Sequence, residues 1–137
     1  MTLLEARIAF TQCLGDILAF AKVSDLDMMI DETKRHPMVA QWNATHCKVR
    51  LGDKRCERTR DEHPSTGHAF KAIGIAKSVH IQGLAADIYI IKNGAISNDT
   101  HGYAVLGNYW KTLHDLARWG GDFEDYGHFS FTWEGRS

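Results

Sequence analysis

The chain contains 137 residues with a formal net charge of −1 at pH 7, and 44% of them are hydrophobic. These values are typical of a soluble globular domain, and a chain of this length can bury about two-thirds of its unfolded surface. A net charge so close to zero supplies no global field for nucleic acid, which disfavours DNA- and RNA-binding classes.

Cysteine number and the N-terminal pattern indicate where the chain is made. Three cysteines are an odd number, which argues against a closed disulfide framework and fits a reducing compartment. No apolar run reaches membrane-spanning length, and Glu5, Arg7 and Asp16 interrupt the apolar core that a signal peptide would need. We expect one domain over residues 1–137, made in the cytoplasm without a signal peptide and without stable membrane insertion.

The first third of the chain carries the patterns of two helices and a strand. Apolar residues recur at helical spacing over residues 3–22, and Thr2 with Glu5 forms a candidate capping box. A short strand is expected at residues 26–30. Pro37 then fits the first turn of a second helix.

Residues 45–70 mix cysteines, histidines and many charged side chains. The cysteine and histidine spacing matches no zinc-finger pattern and contains no CxxC. We therefore expect a charged loop here in preference to a second structural metal site. The basic side chains leave open contact with an anionic polymer. This interpretation concerns His46, Cys47, Cys56, His63 and His68.

The second half of the chain carries the patterns of a hairpin, a helix and a strand. Residues 88–92 predict a strand, 93–94 a hairpin turn of Asn-Gly type, and 95–96 a return strand. Apolar spacing predicts a helix over residues 103–119, ended by the glycine pair that follows it. Alternation over residues 129–133 predicts a half-buried strand.

Three separated residues have the chemistry of a catalytic zinc shell. Such a site needs about three protein ligands and leaves one position for water. His80, Asp87 and His128 supply two imidazoles and a carboxylate, and Asp125 precedes the last ligand by three residues, where it could act as general base. Arg35 stands at a strand-to-helix junction, where its guanidinium could polarise or anchor a substrate.

These residues fall in motifs that resemble those of the D-alanyl-D-alanine carboxypeptidase-type zinc peptidases. Within that family the chain is most similar to phage endolysins that act as L-alanyl-D-glutamate peptidases. The resemblance covers residues 31–41 and 74–131. The motifs are Ser78-x-His80-x-x-Gly83-x-Ala85-x-Asp87, Trp119-Gly120-Gly121-Asp122, Asp125-Tyr126-Gly127-His128-Phe129, and Arg35 in Arg35-His36-Pro37-Met38-Val39-Ala40-Gln41.

The resemblance implies residue roles and a fold. His80, Asp87 and His128 would be the zinc ligands, Asp125 the catalytic acid/base, and Arg35 with Ser78 the substrate contacts. The implied fold is α+β, with a small central, mainly antiparallel sheet flanked by helices, of the D-Ala-D-Ala carboxypeptidase/hedgehog-like type. The domain would be a single zinc peptidase domain without a separate cell-wall-binding domain.

The implied activity is hydrolysis of the peptide stem of bacterial peptidoglycan by a zinc-activated water. A bacteriophage endolysin of this kind would act as a monomer, degrading the host cell wall after the membrane is permeabilised. Alternatives are a D-Ala-D-Ala carboxypeptidase or dipeptidase, a zinc-stabilised non-catalytic wall-binding module, and a nucleic-acid binder using residues 48–60. Arg50 is an alternative to Arg35.

Overall fold

The computed structural model describes residues 1–33, 37–63, 67–73 and 79–137. These residues form an α+β fold with a small antiparallel sheet and three α-helices, as the sequence predicted. In chain order the elements are α1 (Leu3–Val23), β1 (Asp27–Glu32), α2 (Pro37–Thr45), β2 (Arg50–Leu51), β3 (Lys54–Arg55), β4 (Ala85–Lys92), β5 (Ala95–Ile96), α3 (Thr100–Leu113), β6 (Ala117–Trp119), a 3₁₀ helix (Gly120–Phe123) and β7 (His128–Phe131).

Helix α1 begins with the predicted capping box. The backbone N–H of Thr2 donates to Glu5 Oε2 at 2.6 Å, and the N–H of Glu5 donates to Thr2 Oγ1 at 3.2 Å. Both bonds satisfy N–H groups that have no partner within the helix. One face of α1 is buried in the core, through residues three or four positions apart: Ala6, Phe10, Cys13, Ile17 and Ala21.

The main sheet has the strand order β1-β4-β7-β6, and β5 pairs with β4. Every pairing in it is antiparallel. Along β4, the alternate residues Ala86, Ile88 and Ile90 are buried, whereas Asp87 and Tyr89 on the other face are half-buried. The sheet therefore has a core face and a more open face.

Helices α1 and α3 cover the core face. The Phe10 ring of α1 meets Trp110 of α3 and Phe131 of β7 edge-on, with centroids 5.6 and 5.3 Å apart. Trp110 also packs edge-on against Phe129 at 5.8 Å. Because Phe129 and Phe131 point toward the helices, the neighbouring His128 points to the open face.

The predicted helix over 103–119 was wrong over its last six residues. Helix α3 ends at Leu113, His114 is extended, and residues 117–119 form an edge strand paired with β7. The side chain of Trp119 packs directly onto Gly107 of α3, where an added Cβ would overlap the indole. Burial of Trp119 against α3 therefore requires the chain to leave the helix after Leu113 and fold back onto it.

Two other predictions need correction. Residues 45–70 do not form only a charged loop, because β2 and β3 pair there as a separate two-stranded sheet. The strand predicted at 129–133 is β7, which lies between β4 and β6; Ser130 on its second face is fully buried, so the strand is not half-buried. The hairpin turn at Asn93 and Gly94 is confirmed, with φ values of +53° and +75°.

None of the helices in the described part of the chain is both long and apolar enough to cross a membrane.

Candidate metal centre

Asp87 and His128 are brought together by strand pairing. They are direct partners in the antiparallel register of β4 and β7, and both side chains stand on the open face of the sheet. Directly opposed residues on such strands have neighbouring side chains. His128 Nδ1 accordingly lies 3.6 Å from Asp87 Oδ1.

His80 reaches the same point from a tight turn before β4. The N–H of Gly83 donates to the His80 carbonyl at 3.1 Å, and the N–H of Leu84 donates to the Val79 carbonyl at 3.0 Å. Gly83 has φ +72°, a conformation that favours glycine. Val79 and Leu84 are fully buried and anchor the turn, so that His80 Nε2 lies 3.4 Å from Asp87 Oδ1.

The three side chains form a group that could hold a metal ion. One potential ligand atom from each lies within 4.8 Å of the others, and His80 is only 3% exposed. Burial alone would raise the pKa of the Asp87 carboxyl, but hydrogen bonds and charge from His128 and His80 outweigh it and hold this pKa well below its usual value. Two imidazoles and an ionised carboxylate fit zinc, and Mn or Co could also occupy such a set.

Glu32 belongs to this centre and was missed by sequence reasoning. It pairs with Asp87 across β1 and β4, which places Glu32, Asp87 and His128 on three adjacent strands. Its Oε1 lies 3.6 Å from His80 Nδ1, and the Thr33 carbonyl lies 3.4 Å from the same nitrogen. Groups on Nδ1 orient a ligand imidazole so that Nε2 can bind the ion. An acidic residue at the end of a strand was the available signal.

Asp125 is held in the turn that leads into His128. Its N–H donates to the Gly120 carbonyl at 2.8 Å, and its carbonyl accepts the His128 N–H at 3.2 Å. A Cβ added at Gly120 would lie 2.7 Å from His128 Cβ and 3.2 Å from Asp125 Cβ, so both residues pack against this glycine. The predicted base and the third predicted ligand are therefore positioned by one short backbone unit.

A cavity of about 330 Å³ adjoins this turn. A volume of this size suits a small ligand or a short peptide segment. Burial, and then the charges of Asp87, Asp31 and Asp125, raise the pKa of the Tyr89 hydroxyl, so this group is a hydrogen-bond donor at neutral pH. The lining residues are Tyr89, Ile96, Ser97, Asn98, Thr100, Tyr103, Asp125, Tyr126 and Gly127.

A larger cavity of about 500 Å³ lies at the other end of β1, between α1 and the turn that follows it. Its lining contains neither Asp125 nor any of the three candidate ligands, whereas Asp125 lines the smaller cavity, so the smaller cavity is the better candidate for a substrate.

No protein-family model matches the chain, and no curated protein is significantly similar to it in sequence.

The remaining predicted site residues are not part of the described centre. Arg35 and Ser78 lie outside the described residues. Arg50 is exposed on β2, and its Nη1 donates to the Asp53 carbonyl at 3.1 Å within the same hairpin. A second group of potential metal ligands lies near this hairpin and consists of Cys47, Cys56, His63 and His68.

Proposed function

We propose that the protein is a zinc-dependent peptidase that hydrolyses the peptide stem of bacterial peptidoglycan, as an L-alanyl-D-glutamate endopeptidase of the phage endolysin type. The observation that supports this best is the convergence of His80, Asp87 and His128, with Asp125 in the turn before the last of them. The motif resemblance supplies the substrate class.

Three side chains in this centre would hold the ion and leave one position open for water or substrate. Zinc bound there supplies a Lewis acid, which lowers the pKa of a water molecule and polarises a carbonyl. Glu32 and the Thr33 carbonyl hold the His80 ring in position through its Nδ1 atom. The pairing of β4 with β7 holds Asp87 and His128 on rigid strands.

Asp125 would move the proton in this reaction. As general base it takes a proton from the attacking water, and it then donates that proton to the leaving amine. Its backbone forms hydrogen bonds with the backbones of both Gly120 and His128, which restricts how far its carboxylate can move relative to the ligands. A fixed base of this kind contributes about 10²- to 10⁴-fold to a rate.

The cavity next to Asp125 would receive the peptide stem. Tyr89 donates a hydrogen bond at neutral pH because its pKa is raised, and the side chains of Ser97, Asn98 and Thr100 add donors and acceptors along the lining. A short peptide is rich in amide groups that such a lining can bind. Arg35 would complete the site by holding a carboxylate or the developing oxyanion.

Digestion of purified peptidoglycan tests this function. We expect new L-alanine carboxyl and D-glutamate amino termini by mass spectrometry, with activity lost on chelation and restored by zinc. Asp125→Asn should reduce the rate by about 10²- to 10⁴-fold without loss of zinc. Asp122→Asn is the matched control, because Asp122 lies three residues before Asp125 and is likewise exposed, but pairs with Lys111 at 3.3 Å.

Other outcomes would replace the proposal. Release of free D-alanine would indicate a carboxypeptidase or dipeptidase at the same centre. Unchanged wall lysis in Asp125→Asn, together with unfolding of His128→Ala, would indicate that the metal stabilises a binding module.

A further inference from the structure

A second group of potential ligands lies in the segment between α2 and the His80 turn. Its members are Cys47, Cys56, His63 and His68, and their ligand atoms lie within 4.8 Å of one another. His68 Nε2 is 3.7 Å from Cys47 Sγ and 2.9 Å from His63 Nε2. Ligand atoms that share a tetrahedral zinc lie about 3.3 to 3.8 Å apart, given the usual Zn–N and Zn–S lengths. Small side-chain rotations would therefore suffice for this group to share an ion.

The backbone brings the two cysteines together through the hairpin of β2 and β3. The N–H of Cys56 donates to the Val49 carbonyl at 2.8 Å, and the N–H of Glu57 donates to the Cys47 carbonyl at 2.9 Å. These bonds extend the pairing beyond the hairpin strands. As a result, Cys47 and Cys56 stand at the paired base of the hairpin although eight residues separate them.

The two histidines reach the same place from the following stretch. His63 and His68 are separated by four residues, which is within the spacing of histidine pairs in zinc sites. Ala72 forms a bridge with Cys47, which brings the stretch after His68 alongside that cysteine. The imidazole rings are nearly perpendicular, at 86°, with their Nε2 atoms facing each other.

Burial of apolar side chains does not explain how the segment over residues 37–73 is held together. Among the described residues of 37–73, only Ala40 and Cys47 are buried, and neither belongs to the main hydrophobic cluster. The β2–β3 pair is separate from the main sheet, and an isolated two-stranded hairpin is marginally stable in water. Short segments with so little core need a cross-link, for which a metal is one common solution.

We propose that Cys47, Cys56, His63 and His68 bind a structural zinc ion that cross-links the segment before the His80 turn. Four protein ligands fill a tetrahedral shell and leave no position for water, which is the pattern of structural sites. Each thiol releases its proton to solvent on binding, so the site requires both cysteines to be reduced. This proposal does not depend on the peptidase function, because the two groups share no residue.

Cobalt substitution tests the site without any assay of hydrolysis. A thiolate ligand gives Co(II) a sulfur-to-metal charge-transfer absorption in the near ultraviolet, and the His80–Asp87–His128 group contains no sulfur. We expect this band in the reduced wild-type protein loaded with Co(II), and its loss when zinc is added. The band should lose about half of its intensity or more in Cys47→Ser and in Cys56→Ser, each of which removes one of the two thiolates, but persist unchanged in Cys13→Ser, whose thiol lies in α1.

Metal counting provides an independent measurement. In a variant carrying Asp87→Ala and His128→Ala, plasma-emission analysis should find about one zinc ion per chain. Adding His68→Ala should remove that ion, whereas adding the exposed His101→Ala of α3 should not.

Two results would overturn the proposal. One is a folded, reduced wild-type protein that shows no charge-transfer band with Co(II), a result that needs no variant to fold. The other is a Cys47–Cys56 disulfide in the protein purified from a reducing cytoplasm. Loss of wall hydrolysis with the band retained would instead count against the peptidase function alone.

Discussion

Gly120→Ala is expected to disturb the candidate metal centre without changing any ligand. A Cβ at this position would overlap the carbonyl oxygen of Asp125 and lie 2.7 Å from His128 Cβ and 3.2 Å from Asp125 Cβ. Carbon atoms that are not bonded rarely approach closer than about 3 Å, so Asp125 and His128 must both be displaced by a few tenths of an ångström or more. The Asp125 carbonyl also accepts the His128 N–H, so the two displacements are coupled.

The magnitude follows from this overlap. Overpacking a closely packed site costs about 1–3 kcal/mol of unfolding free energy. Displacement of a ligand and of the base should lower zinc affinity by about 10- to 100-fold. The hydrolytic rate should fall by about 10²-fold, because catalytic geometry tolerates little misplacement.

Three measurements check the prediction, with Gly15→Ala as the matched control. Denaturant unfolding in chelator gives the stability of the metal-free protein, competition with a chromophoric chelator gives zinc affinity, and wall digestion gives the rate. Gly15 lies in α1 with nothing within 4 Å of an added Cβ, so the same substitution should stabilise the protein by about 0.5–1 kcal/mol. Wild-type stability and zinc affinity in Gly120→Ala would refute the reasoning.

Three further predictions concern the metal and its surroundings. Gly83→Val should lower zinc affinity by about 10-fold or more, because it strains the turn that carries His80. Gly135→Val, at a similar φ of +77° against +72°, should not, and equal affinities in both would contradict this role. Arg35→Ala should reduce wall hydrolysis by about 10²-fold with normal zinc content, whereas Arg50→Ala should hydrolyse the wall at close to the wild-type rate. The reverse result would assign the substrate-holding role to Arg50. Chelation should lower the melting temperature, since zinc at about 100 times its Kd stabilises the folded state by about 2.7 kcal/mol, and scanning calorimetry with zinc added back should restore it.

Sequence patterns located much of the fold because helices and turns depend on local spacing. The helix predicted at 3–22 and its capping box correspond to α1 almost residue for residue. The Asn93-Gly94 turn is also local, since it needs only two residues with positive φ. Predictions were poorer where a segment's structure depends on distant partners, as at residues 117–119, which carry a helical pattern but pair with β7.

The candidate site, too, could be predicted from the sequence only in part. The ligand types and motif spacing of His80, Asp87 and His128 could be read from the sequence, and the structure places them together on the open face of the sheet. The position of Glu32 beside His80 could not be read, because it follows from the register of β1 on β4.

What the sequence determined by itself was the identity of the side chains in the centre and the local elements that carry them. The tertiary structure decided which of those side chains meet. Strand register opposes Asp87 to His128, and the fold of the hairpin segment gathers Cys47 with His68, where spacing alone suggested a loop. The physical reason is that such contacts join residues far apart in the chain, and their geometry is set by long-range pairing and burial, which local periodicity does not encode.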